Sequence, residues 1–127
     1  MSKLSEKQVN TAIVGSGFIG RAWAISFARA GATVRLWDQA DGAAEKAIGY
    51  ISGVLDELAR NDLLSGESPA VFRSRITPAI TLNEALADAT HVQENTPEIL
   101  DVKIKVFQML DAAAHPDAVL ASSTSAL

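Results

Sequence analysis

Apolar and polar positions in this chain fall into two alternating patterns. Short, largely apolar runs at residues 10–14, 33–37, 76–79, 90–93 and 118–121 have the length and β-branched content of buried strands. Between them, longer segments carry apolar residues three and four apart, the spacing of one helical face. The first, at 18–30, has Ile19, Trp23, Phe27 and Ala30 in one stripe, expected to face the core; stacking of Trp23 and Phe27 on a base is the other reading. Gly31 closes this helix. The second, from an Asp41 cap to about Asn61, turns Ala44, Ala47, Ile48, Ile51, Leu55 and Leu58 inward. A polar loop follows. Ser68 and Pro69 then suit the cap and first turn of a short helix. Thr81-Leu82-Asn83-Glu84 is a capping box for another, running to about Ala87. Thr96 and Pro97 should open the last helix, with Ile99, Val102, Val106 and Leu110 inward and Phe107 and Met109 beside them. Pro78 places the third strand at an edge or a strand end.

The junction of the first strand and helix reads Gly15-Ser16-Gly17-Phe18-Ile19-Gly20, and the second strand ends at Asp38, roughly 20 residues beyond the first glycine. Strand, glycine-rich turn, helix, strand and acid in that order form the dinucleotide-binding fingerprint. Gly15 allows a tight turn, Gly17 lets backbone approach a pyrophosphate, and Gly20 lets the helix pack hard on the strand. The helix start aims N–H groups at phosphate. The Asp38 carboxylate can accept from both ribose hydroxyls and would repel a 2′-phosphate, so NAD is expected over NADP. Arg21 is either a phosphate ligand or a solvated arginine. The pattern predicts an α/β, Rossmann-type doubly wound fold: a mainly parallel sheet, helices on both faces, strand order 3-2-1-4-5. Ligands then bind beyond the strand carboxyl ends, where residues 15–20, 38, 94–98 and 122–125 converge.

Composition narrows the chemistry. One core fits 127 residues, and a net charge of −4 without a basic block argues against nucleic acid or an anionic membrane as partner. The absence of cysteine excludes disulfides and thiolate chemistry. No metal site is expected. The polar first ten residues lack the apolar core of a signal peptide, which is compatible with a cytoplasmic protein.

Three segments resemble the NAD-binding domain of the L-3-hydroxyacyl-CoA dehydrogenase family: residues 12–20, Val92-Gln93-Glu94 with Pro97-Glu98, and Ala121-Ser122-Ser123-Thr124-Ser125. The resemblance covers nearly the whole chain, and its last two segments are more specific than the glycines. It implies NAD as cofactor, held by Gly15, Ser16, Gly17, Phe18, Ile19, Gly20 and Asp38, with Glu98 and Lys103 also at the cofactor. It makes Ser125 the catalytic serine, touching nicotinamide and substrate. The nearby physics leaves other readings open. Glu98 suits any helix start, Lys103 could be solvated, and residues 122–125 could be an ordinary polar loop.

The implied reaction is oxidation of the 3-hydroxyl of an L-3-hydroxy acid or acyl-CoA, in fatty acid metabolism or a related pathway. Acyl-CoA enzymes carry a serine and a lysine on the second helix, absent near Val54 and Asn61, and an asparagine where Ser123 stands. Both departures favour a small hydroxy acid such as L-gulonate. The family's histidine–glutamate acid/base pair lies beyond the serine segment. His91 and His115 read as surface histidines. Residues 1–127 are therefore expected to be the cofactor domain of a longer two-domain enzyme, homodimeric through a helical C-terminal domain and nearly inactive alone. The alternatives are a non-catalytic or purely structural nucleotide-binding module and, from the fold alone, an FAD-binding one.

Overall fold

The computed structural model describes residues 9–96 and 99–123. The expected tail at 2–8, and Pro97, Glu98 and Ser125, lie outside the described residues. Strands β1 (Asn10–Val14), β2 (Thr33–Trp37), β3 (Ile76–Pro78), β4 (His91–Glu94) and β5 (Val119–Ser122) alternate with helices α1 (Phe18–Arg29), α2 (Ala43–Arg60), α3 (Pro69–Arg73), α4 (Leu82–Leu86) and α5 (Leu100–Ala113). All strand pairs are parallel, in the order β3-β2-β1-β4-β5, the order expected. Pro78 ends β3 at the sheet edge, where its missing N–H costs no ladder bond.

Strand side chains alternate between two cores, the signature of a sheet covered on both faces. Ile13, Val34 and Leu36 pack with Ala24, Ala28, Ala47, Ile51, Leu55 and Phe72 under α1, α2 and α3. Ala12, Val14 and Val92 point the other way, to Leu82, Leu86, Val106 and Leu110 of α4 and α5. The α2 stripe is as expected, with Ile48 and Leu58 at its margin.

The face of α1 is not as expected. Gly20, Ala24 and Ala28 are the buried residues, whereas Ile19 is 58% and Trp23 39% exposed. Gly20 fixes this rotation: a Cβ on it would stand 2.0 Å from the Gly15 carbonyl oxygen and 3.3 Å from the Ile13 side chain. Once Gly20 seats the helix on β1, positions four and eight residues on must face the sheet, and only small side chains fit there. Trp23 instead lies along the β5 side, its indole N–H donating to Ser123 Oγ at 3.2 Å.

Of the four expected helix caps, two form and two do not. Ser68 accepts from Val71 N–H, and Thr81 from Glu84 N–H, as expected. The Glu84 carboxylate accepts from Ile80 N–H at 2.7 Å and completes that turn. Asp41 does not cap α2; Gly42, at φ +78°, takes the N-cap without a side-chain bond. Thr96 does not cap α5, whose N-cap is Ile99; its hydroxyl and N–H donate instead to Glu94.

Candidate functional site

The carboxyl ends of β1, β2, β4 and β5 bring the singled-out residues to one side of the sheet. Gly15 leaves β1 at φ +101°, where a side chain would be strained and where a Cβ would press within 2.9 Å of the Asn95 carbonyl carbon. The glycine turn thus rests directly on the segment after β4.

Gly17 is different. Its φ is −69°, open to any residue, and a Cβ added to it would meet nothing within 4 Å. Neither its backbone nor its packing calls for glycine. A bare position facing open space at a helix start suits close approach by something outside the chain. The N-cap offers no side-chain bond, and no acidic residue occupies the first turn of α1. The leading N–H groups of α1, at Gly17, Phe18 and Ile19, therefore remain available to an anion.

Asp38 stands across this turn. Its Oδ2 accepts from Ser16 N–H at 2.7 Å and from Ser16 Oγ at 2.8 Å, and its Oδ1 accepts from Ala40 N–H at 2.9 Å. The buried Ser16 side chain is thereby spent on holding the acid against the loop. Arg21 belongs to the same corner. Its Nε donates to the Ser16 carbonyl at 2.9 Å, and its guanidinium lies 5.3 Å from the Phe18 ring centre and 4.8 Å from that of Tyr50. It is half-buried beside the loop, not a freely solvated side chain.

On the other side of the switch between β1 and β4, the geometry reveals a cluster that the sequence reading missed. Glu94 ends β4 with no solvent exposure. Its Oε2 accepts from Lys103 Nζ at 2.7 Å, from Thr96 N–H at 2.7 Å and from the Thr96 hydroxyl; its Oε1 accepts from Ser122 Oγ at 2.5 Å. Burial by itself would push this carboxyl up, but the bonds from Lys103, Ser122 and Thr96 outweigh it and hold Glu94 below the ordinary glutamate range. Lys103, 2% exposed, is not a solvated lysine; its second bond goes to the Thr96 carbonyl at 2.8 Å. The available signal was a charged residue in the apolar stripe of α5, where Ile99 turns out exposed and Lys103 takes the inner position.

Ser123 closes a neighbouring polar group. Its Oγ accepts from Gln93 Nε2 at 3.1 Å and Trp23 Nε1 at 3.2 Å, and donates to Asn95 Oδ1 at 2.6 Å. His91 is half-buried, its ring 5.0 Å from that of Phe27 and its Nε2 3.1 Å from Gln93 Oε1. His115 sits in a turn and accepts from Asp117 N–H. Neither has a carboxylate hydrogen-bonded to it among the described residues. No group of three or more metal-ligating side chains occurs among them, and no helix there is long and apolar enough to cross a membrane.

The chain resembles known proteins over most of its length. The family described as 3-hydroxyacyl-CoA dehydrogenase, NAD binding domain, matches residues 10–127. An L-carnitine dehydrogenase of Streptomyces griseus is 42% identical over 114 residues, 90% of this chain and 33% of the relative. A lambda-crystallin homolog of Bos taurus is 40% identical over 117 residues, 91% of this chain and 36% of the relative. The crystal structure of 3-hydroxybutyryl-CoA dehydrogenase from Escherichia coli superposes with a TM-score of 0.86 at 30% identity, over 96% of this chain and 26% of that one. The chain thus spans about a third of the length of the curated relatives it matches.

Proposed function

The chain belongs to the 3-hydroxyacyl-CoA dehydrogenase family as its NAD-binding domain, and from that premise we propose that it is the cofactor half of an enzyme oxidising the 3-hydroxyl of a small L-3-hydroxy acid. The observation that carries this is the bare Gly17 at an uncapped helix start, facing a carboxylate held across the turn. Gly15 to Gly20 hold the pyrophosphate through backbone N–H groups, and Asp38 takes the adenosine ribose. Bound NAD supplies the hydride acceptor. Glu98 touches the cofactor, and Ser125 hydrogen-bonds the reacting hydroxyl of the substrate. Lys103, already bonded to Glu94 and Thr96, serves the cofactor from one layer below.

A compact substrate is supported by the absence of a serine and a lysine near Val54 and Asn61 and by relatives named for L-carnitine, a hydroxy acid and not a thioester. A general base and its orienting acid from a following helical domain, dimerisation through that domain and a cytoplasmic setting complete the proposal. A place in fatty acid metabolism would follow only if the substrate were an acyl-CoA. The second reading, a structural module without turnover, is favoured by the relatives named lambda-crystallin.

Titration with NADH and NADPH tests the cofactor assignment. A 2′-phosphate brought against Asp38 meets like charge, so NADPH should bind at least about tenfold more weakly. Equal affinities would contradict the role given to Asp38, and no binding of either would favour the structural reading.

A further inference from the structure

Arg21 is held in place more firmly than its position near the surface requires. Its Nε–H donates to the Ser16 carbonyl at 2.9 Å. Its guanidinium carbon lies over two rings, 5.3 Å from the centre of Phe18 and 4.8 Å from that of Tyr50. Those rings meet edge to face, 5.8 Å apart, and are themselves 74% and 47% exposed. Helix α1 supplies Phe18 and Arg21, α2 supplies Tyr50, and the glycine turn supplies the carbonyl. Yet both terminal nitrogens of Arg21 lack a hydrogen-bond acceptor among the described residues, and no carboxylate there pairs with the charge. An unpaired charge taken half out of water is unfavourable for the free protein, and ring contacts offset this only in part. Ser16 does not need the arginine as a tether either, because Asp38 already holds its N–H and hydroxyl.

We propose that Arg21 is a cofactor-binding residue whose terminal nitrogens hold the phosphate next to adenosine. This rests on the NAD assignment above and adds a charged ligand to the backbone N–H groups of α1. The side of the loop follows from the course of the chain. In the sheet, β2 lies on one side of β1 and β4 on the other. Asp38, which takes the adenosine ribose, follows β2, and α2 with Tyr50 comes after it. Ser16 joins the two, its N–H and hydroxyl on Asp38 and its carbonyl on Arg21. The guanidinium is therefore on the adenosine side, and the nicotinamide half lies beyond the switch point, toward β4. A guanidinium can meet a phosphate with two parallel N–H···O bonds. Ordering the side chain in advance removes much of the freedom that binding would otherwise have to restrict.

The test titrates two ligands into the wild-type chain and Arg21→Met: NADH, and AMP, which carries only the phosphate next to adenosine. Each titration is run at about 50 mM and about 500 mM salt, between which the screening length shortens roughly threefold. Wild type should bind both ligands, NADH more tightly. Arg21→Met keeps an apolar stem between the rings and removes the charge. At low salt it should bind both ligands about tenfold or more weakly, the effect of losing hydrogen bonds to a charged group. The half-buried guanidinium is within reach of screening ions, so the difference should narrow at high salt. Wild-type affinity for both ligands in the folded variant would overturn the proposal. So would an equal loss at both salts, which marks a structural staple, or a loss confined to NADH, which puts Arg21 at the other phosphate. Binding of NADH without AMP by the wild type would count against the site in the same way. Circular dichroism and thermal melting establish that the variant is folded; should it fail to fold, Arg21→Gln, which keeps an N–H donor, decides, and failure of both to fold would also overturn the proposal. A wild-type chain that binds neither ligand would sink the NAD assignment, a result distinct from these.

Discussion

Gly17 and Gly20 show how one residue type can serve two unrelated ends three positions apart. Gly20 answers to the protein: a Cβ there would lie 2.0 Å from a backbone oxygen, so Gly20→Ala must push α1 off β1. We expect it to lower stability by about 1–3 kcal/mol or more, as overpacking does, measured by urea unfolding. An unchanged midpoint would mean that the helix is not seated as described. Gly17 has no such constraint, since a Cβ there would meet nothing within 4 Å, which is why the proposed function gives it to the ligand. Asp38 lies between the two cases, because it holds Ser16 and also faces the site. Asp38→Ala should weaken NADH binding by about 1.5–3 kcal/mol, the worth of hydrogen bonds to a charged group, in a calorimetric titration. At this scale the glycine motif was legible because each glycine has a distinct steric meaning within a recognisable strand–turn–helix. Lys103 was half legible. The family resemblance marked its position, and its place in the row of Val106 and Leu110 hinted at burial, but no local pattern announces that its ammonium turns to a strand end.

The elements show where periodicity misleads. The largest apolar residues of α1 form a clear stripe, yet the helix buries the neighbouring row of Gly20, Ala24 and Ala28. A helix lying close on a parallel sheet needs small residues at the contact, and contact distance outweighs apolar bulk. It follows that Ala24→Leu should destabilise by about 1–3 kcal/mol, more than Trp23→Ala, although tryptophan is by far the larger side chain. Melting temperatures ranked the other way would contradict the described face. The junction of β4, β5 and α5 was illegible for a related reason: its bonds are between segments distant in sequence, and no local pattern encodes them. It carries a pH signature. The carboxyl of Glu94 is held below its unfolded-state value, so its contribution is complete above that value and is lost as pH falls through the lower folded-state one. Glu67, lowered by its hydrogen bond from Arg75, adds to the same trend. Stability should therefore fall on acidification below the ordinary glutamate range, and Glu94→Gln should flatten that fall without abolishing it. An identical acid profile in the variant would show that Glu94 is not ionised in the folded chain.

For the molecule as a whole, strand order and the end of the sheet that carries the site were readable because alternating strands and helices leave few permitted windings. The strands also end on turn residues that gather at one side. Turnover is another matter. The chain spans about a third of the length of its curated relatives, and neither His91 nor His115 is paired with an acid in the described residues. In the proposed enzyme the general base comes from the following domain, and loss of such a base typically costs about 10²–10⁴-fold. What this chain should do is bind. The most direct measurement is calorimetry with NADH on the wild-type chain and on Gly17→Ala, whose added Cβ meets nothing within 4 Å in the protein and crowds the approach to the N–H groups of α1. Saturable binding by the wild type, lost in a variant with an unchanged melting temperature, is the predicted result. Equal binding by the two chains, or none by the wild type, would contradict it.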